Sequence, residues 1–217
     1  AASSDYPLRD VYKRQVHDYP LTAFEGEIIV IENAEELNEA CAHLSQYPAI
    51  GFDTETKPNF KKGKKNKVAL LQLSSTTKSY LLRVNKHGLP AKLTAILSNP
   101  NIKKIGAATR DDVRVLRHIR EFIPAGFVDL QHIAKDIGIE QLGVRNIAAL
   151  VLGVKISKSQ QLSNWESDVL THPQMLYAAT DAWICLEIYN NLQNKGFINE
   201  SSIRTNESDT PEDESSN

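Results

Sequence analysis

The chain has 217 residues, 41% of them hydrophobic and 24% charged, with a formal net charge of -2. This fits one soluble domain with a sizeable core and loose ends, and no apolar run approaches the roughly 20 residues of a membrane span. There is no signal-peptide pattern, and Cys41 and Cys185 form no C-x-x-C, which argues against a disulfide framework or zinc site and for a reducing compartment: the cytoplasm, or the nucleus in a eukaryote.

Residues 1–20 show no periodicity and read as an N-terminal arm or an expression remnant. Residues 21–198 read as one domain. Residues 199–217 form a Ser-rich tail carrying Glu207, Asp209, Glu212, Asp213 and Glu214, and its composition predicts disorder. Without those acids the rest of the chain is net basic.

Within the domain, Glu27–Ile31 reads as a strand. Asn33, with Glu36 three residues on, is a capping-box start for a helix with Leu37, Cys41 and Leu44 inward. Ala49-Ile50-Gly51-Phe52 runs into Asp53 as a buried strand. Val68–Leu73 is a second apolar strand and Ser79–Val84 a third, with a turn at Thr76-Thr77-Lys78. Pro90 opens a helix to Leu97, stopped by Asn99-Pro100. Ile102–Gly106 is a short strand. Arg110–Ile119 is a helix with Val113, Leu116 and, at its end, Ile119 inward. Gly126–Asp129 is another short strand. Helices follow at Leu130–Ile137, Val144–Leu152 and Pro173–Leu192. Antiparallel strands followed by alternating helices and strands predict an α/β domain with a mixed sheet flanked by helices.

Chemistry enters at Asp53-Thr54-Glu55. Residues two apart in a strand face the same way, so both carboxylates leave one face together. They are either two solvated acids at a strand end or the start of a cation site, because like charges this close repel unless a cation lies between them. Oxygen-only ligands suit Mg²⁺ or Mn²⁺.

Further acids follow. Tyr177 and Asp181 stand four apart in the last helix and share one face, and Ala178 and Ala179 beside them suggest close packing. Asp111 and Asp112 open a helix after Lys104-Ile105-Gly106. Acids in a first turn also complement the helix dipole, so that position has an ordinary explanation too.

D-x-E, an Asp after a K-x-G turn, and Y-x-x-x-D on a late helix resemble, in that order, the three motifs of the DEDD 3′–5′ exonuclease superfamily. The tyrosine marks the DEDDy branch; the branch using histidine needs it where this chain has Leu176. The context from Lys158 to Trp165, then Gln174 and Tyr177–Trp183, is similar to the exonuclease domain of the Werner syndrome helicase, with ribonuclease D a more distant relative. The resemblance covers about residues 25–195. It implies a ribonuclease-H-like fold and two divalent ions, Mg²⁺ or Mn²⁺, held by Asp53, Glu55, Asp112 and Asp181. Asp53 would bridge, and Asp112, six residues after Gly106, would serve the second ion. Tyr177 matches the residue that positions or helps deprotonate the attacking water. A free tyrosine, with a pKa near 10, is a poor base at neutral pH, so hydrogen-bonding that water is the expected role.

A basic segment follows Glu55. Lys57, Lys61, Lys62, Lys64, Lys65 and Lys67 place six lysines in eleven residues. Such a run is a solvated loop or a phosphate contact that reads no sequence. Phe60 stacks on a base or anchors the loop. Lys158, Gln161 and Trp165 are further candidates for nucleic-acid contact, with core packing the alternative for Trp165. Gln72 reads as a hydrogen-bonding residue of its strand, His172 as a surface residue, and Arg110 as part of a local ion pair or a backbone contact.

The expectation is a 3′–5′ exonuclease releasing nucleoside 5′-monophosphates from DNA, single-stranded or with recessed 3′ ends. It uses no organic cofactor and no membrane, and leaves the oligomeric state open. RNA trimming is the alternative; these 217 residues show no helical domains like those that follow the catalytic domain of ribonuclease D. A non-catalytic nucleic-acid-binding module is the rival of another class. It would not need all four acids and Tyr177.

Overall fold

A computed structural model describes residues 19–58 and 67–198. Six strands form one mixed sheet: β1 Glu27–Ile31, β2 Ala49–Thr56, β3 Val68–Ser74, β4 Lys78–Leu82, β5 Lys103–Gly106 and β6 Phe127–Asp129, in the order β1-β4-β3-β2-β5-β6. Strands β2, β3 and β4 run antiparallel to their neighbours among themselves. β5 and β6 continue the sheet parallel to β2.

β1 does not join that meander in chain order. It pairs parallel with β4 at the edge, and α1 (Ala34–Leu44) carries the chain across to β2. Other helices among the described residues are α2 Val84–His87, α3 Ala91–Leu97, α4 Thr109–Ile119, α5 Leu130–Asp136, α6 Val144–Leu152 and α7 His172–Asn194. The strand expected to reach Val84 ends at Leu82, because Val84 opens the short α2. β2 continues three residues past Asp53. Ile119, expected inward, is 40% exposed at the end of α4.

Every residue of β3 is buried, which requires helices on both faces of the sheet. Side chains alternate along β2, so Ile50 and Phe52 enter the layer built with α1, α3 and α4. Gly51, Asp53 and Glu55 face α7 instead. Ala178, Ala179 and Ala182 are fully buried on that helix, and a Cβ at Gly51 would meet the Ala182 carbonyl oxygen at 2.0 Å. Small residues on both sides thus bring α7 against the strand backbone, as the alanines beside Tyr177 suggested.

Two helices start from reciprocal caps, the first as expected at Asn33. Asn33 accepts from the Glu35 and Glu36 amides, and the Glu36 carboxylate accepts from the Asn33 amide. Thr171 and Gln174 make the same reciprocal cap on α7. Lys104 is fully buried in β5. Its ammonium donates to the carbonyls of Ile96, Asn99 and Ile102 at 3.1, 2.7 and 2.5 Å. It thereby ties the end of α3 to the sheet, and burial pushes its pKa down to about 7.

Candidate active site

β2 and α7 make the centre of the site. Asp53 and Glu55 leave the α7 face of β2, and the backbone contact at Gly51 sets Asp181 opposite them. Carboxylate oxygens of all three lie within 4.8 Å of one another. A register shift between Glu55 and Thr56 follows immediately, a bulge of the kind that re-aims side chains at sites. At an effective dielectric of about 20, two unit charges 4.8 Å apart repel by roughly 3.5 kcal/mol. Three carboxylates held this close either take up protons or share a cation.

Burial is the largest cause of the titration shifts here, with crowding added to it at Asp53 and Glu55. Burial first, then Glu55, Asp181 and Asp112, holds Asp53 well above the usual carboxylate range. Burial, then Asp181 and Asp112, pushes Glu55 up to about 9 against the pull of Arg145. Burial raises Asp181 to about 6, opposed by Arg145 and by a hydrogen bond from Tyr177. This donor set fits a divalent cation: hard oxygen ligands, clustered and short of positive charge. Asp53, Glu55 and Asp181 would hold it.

Asp112 arrives from the other face. Thr54, between Asp53 and Glu55 on the strand, points away from α7 and donates from Oγ1 to the Asp112 carboxylate at 2.7 Å. Asp112 therefore stands outside the three-carboxylate cluster, yet close enough to raise Asp53 and Glu55. Burial pushes its own pKa up to about 6, although the Thr54 bond opposes this.

A strained turn sets its place. Ala108 is left-handed (φ 58°, ψ 38°) just before α4, a conformation that costs a non-glycine residue free energy. Asp129 at the end of β6 holds it there. Its carboxylate accepts from the amides of Ala108, Thr109 and Gln131 at 3.1, 3.1 and 2.9 Å. Gly106 is required just before: a Cβ there would stand 2.8 Å from the Phe52 carbonyl oxygen.

Tyr177 sits one turn before Asp181, largely buried. Its hydroxyl accepts from Arg145 Nη2 at 2.7 Å and donates to Asp181. Burial, then the Asp181 charge, holds the phenol well above its ordinary pKa despite Arg145. It stays protonated at neutral pH, a donor and not a base. Trp165 lies under it with ring centroids 5.9 Å apart.

Trp165 is 0% exposed. That corrects its candidacy for nucleic-acid contact: a fully buried indole offers no face to a base. Arg83 and Lys86 hold the surrounding segment by donating to the carbonyls of Ser167 and Asp168, and Gln174 donates to Ser163 Oγ and the Asn164 carbonyl.

Lys158, Gln161 and His172 are exposed. Lys57 is exposed and pairs with Glu166 at 3.2 Å. Phe60, Lys61, Lys62, Lys64 and Lys65 lie outside the described residues. Gln72 pairs directly across from Asp53 and is fully buried. Against expectation, its side-chain amide has no hydrogen-bond partner among the described residues.

Sequence reasoning missed Arg145 and Asp129. Asp129 carried one signal, a strand-end acid just before a helix. Arg145 carried none, because its partner lies 32 residues away on another helix.

A mixed sheet flanked by helices, with a carboxylate cluster and a tyrosine at the end of its central strand, defines a ribonuclease-H-like nuclease domain. The chain belongs to the 3′–5′ exonuclease family, whose model matches residues 28–196. It is 33% identical over 187 residues to the bifunctional 3′–5′ exonuclease/ATP-dependent helicase WRN of Mus musculus, a match covering 82% of this chain and 13% of that protein. It is 28% identical over 172 residues to ribonuclease D of Acidiphilium cryptum, covering 77% of this chain and 43% of that one. The chain thus spans less than half the length of these curated relatives. In structure it matches the Nibbler EXO domain of Aedes aegypti with a TM-score of 0.71 at 22% identity, covering 80% of this chain and 92% of that one. It matches Escherichia coli RNase D at 0.67 and 25% identity, covering 79% and 47%.

Proposed function

We propose that this domain removes nucleoside 5′-monophosphates one at a time from the 3′ end of DNA, using Mg²⁺ or Mn²⁺. The observation that carries the reading is the cluster of Asp53, Glu55 and Asp181, in a chain of the 3′–5′ exonuclease family. Divalent ions bound there would acidify the attacking water and offset charge on the phosphate and the departing 3′-oxygen. Asp53, Glu55 and Asp181 would supply the ligands of one ion, and Asp112 would serve a second. Tyr177, held protonated, orients the attacking water through its O–H. The lysines between Lys57 and Lys67 supply phosphate contacts that read no sequence.

The similarity to the exonuclease/helicase of Mus musculus favours DNA. A second reading, RNA trimming, is favoured by the similarity to ribonuclease D of Acidiphilium cryptum and by the fold shared with Trypanosoma brucei RNase D, solved in complex with RNA U12.

The test is digestion of 5′-labelled single-stranded DNA, recessed duplex DNA and RNA side by side, with Mg²⁺ or Mn²⁺. Laddering from the 3′ end of DNA, abolished by EDTA and by Asp53→Ala, is expected. Faster digestion of RNA would establish the second reading. Activity surviving in EDTA would contradict the metal chemistry.

A further inference from the structure

Among the described residues, Arg145 is the cation whose charge reaches both Glu55 and Asp181. It comes from the first turn of α6, with no sequence motif around it. Its guanidinium makes two anchors at once. Nε and Nη2 donate to the Ser157 carbonyl at 3.4 and 3.3 Å, and Nη2 donates to the Tyr177 hydroxyl at 2.7 Å. The guanidinium carbon also stands 6.0 Å from the centre of the Tyr177 ring.

A phenol oxygen carries a single proton. When that oxygen accepts a bond from an arginine, its proton must point elsewhere. The Asp181 carboxylate, one turn on along α7, is the acceptor within its reach. Without Arg145 the O–H could rotate about its C–O bond and offer the proton in the wrong direction. A lysine is a single point donor on a flexible stem and cannot reproduce the planar two-point hold.

Resting on the exonuclease reading above, we propose that Arg145 is a positioning residue for the hydrolysis. It fixes the Tyr177 hydroxyl as a proton donor aimed at the reaction centre, where the attacking water must lie. The residue acts through Tyr177 and does not itself touch the nucleic acid.

The test combines Arg145→Met, Arg145→Lys, Tyr177→Phe and the two double variants. One arm measures kcat and KM separately on a labelled oligonucleotide. The other observes the metal-free protein by NMR with ¹³C at the tyrosine ζ carbon; the Tyr177 signal is identified by its loss in Tyr177→Phe. Arg145→Met should lower kcat roughly ten- to hundredfold, the range for a hydrogen bond to a charged group, with KM changed by less than about twofold. It should add almost nothing in the Tyr177→Phe background. Arg145→Lys should recover part of the rate, and both variants should shift the Tyr177 signal.

A main effect on KM that persists in the Tyr177→Phe background would overturn the proposal and make Arg145 a substrate contact. An unchanged kcat with an unchanged Tyr177 signal would overturn it in favour of a mere brace between helices. A wild type that digests nothing would sink the exonuclease reading, whereas the NMR arm decides the placement of the hydroxyl independently.

Discussion

Gly51 and Ala182 meet backbone to backbone: a Cβ on Gly51 would stand 2.0 Å from the Ala182 carbonyl oxygen and 2.7 Å from its carbon. This contact, one residue along the helix from Asp181, sets the distance between β2 and α7. It therefore sets the distance between the carboxylates that the two elements carry.

Gly51→Ala is expected to push α7 outward and destabilise the fold by about 1–3 kcal/mol, the usual penalty for one methyl too many in a packed core. The more telling effect is on the site. Metal affinity and turnover should fall far more than stability alone explains at a temperature where the variant is still folded. Urea denaturation and metal titration on the same sample check this. A variant with normal metal affinity would show that the contact does not set the cluster.

The carboxylates make metal-free stability depend on pH. Glu55 is raised to about 9 and Asp181 to about 6 in the folded protein. The folded state therefore holds these protons more tightly than the unfolded one. Their contribution is complete below the ordinary carboxylate range and is lost as pH rises through about 6 and on towards 9. In EDTA, Glu55→Gln should melt above the wild type at alkaline pH, and the gap should close on acidification. Adding Mn²⁺ should raise the wild-type melting temperature most at alkaline pH. A gap independent of pH would contradict the crowding argument.

Asp129 secures the strained turn that presents Asp112. Asp129→Ala removes the acceptor for three amides, Ala108, Thr109 and Gln131. A loss of about 1–2 kcal/mol is expected by comparison with helix caps, with lower kcat because Asp112 is no longer held in place. Chemical denaturation and steady-state kinetics read the two effects. Unaltered kcat would separate Asp112 from catalysis.

Lys104→Met should cost about 1–3 kcal/mol, because the Ile102 carbonyl loses the ammonium and the Ile96 and Asn99 carbonyls keep only the amides of Asn99 and Ile102. KM should remain unchanged, since Lys104 ties α3 to the sheet and lies outside the carboxylate cluster. Unchanged stability in urea would show that the carbonyls find other partners.

What the sequence made legible was local. Alternation along Asp53-Thr54-Glu55, the four-residue step from Tyr177 to Asp181, the small residues beside them and the cap at Asn33 all rest on geometry within a few residues. What it hid was set by tertiary pairing. Nothing near Glu27–Ile31 says that this strand joins β4 instead of β2. Nothing near Asp112 says that Thr54 holds it, and nothing near Arg145 says that it reaches Tyr177. Trp165 illustrates the same limit: only the packing under Tyr177 decides between core and surface.

The proposed function requires Asp53, Glu55 and Asp181 to hold a divalent ion together. Titration of the metal-free protein with Mn²⁺, followed by the paramagnetic resonance of the free ion, tests it directly. Wild type should take up Mn²⁺, and Asp53→Asn and Asp181→Asn should each weaken uptake by roughly tenfold or more while remaining folded. Equal uptake by wild type and both variants would contradict the account.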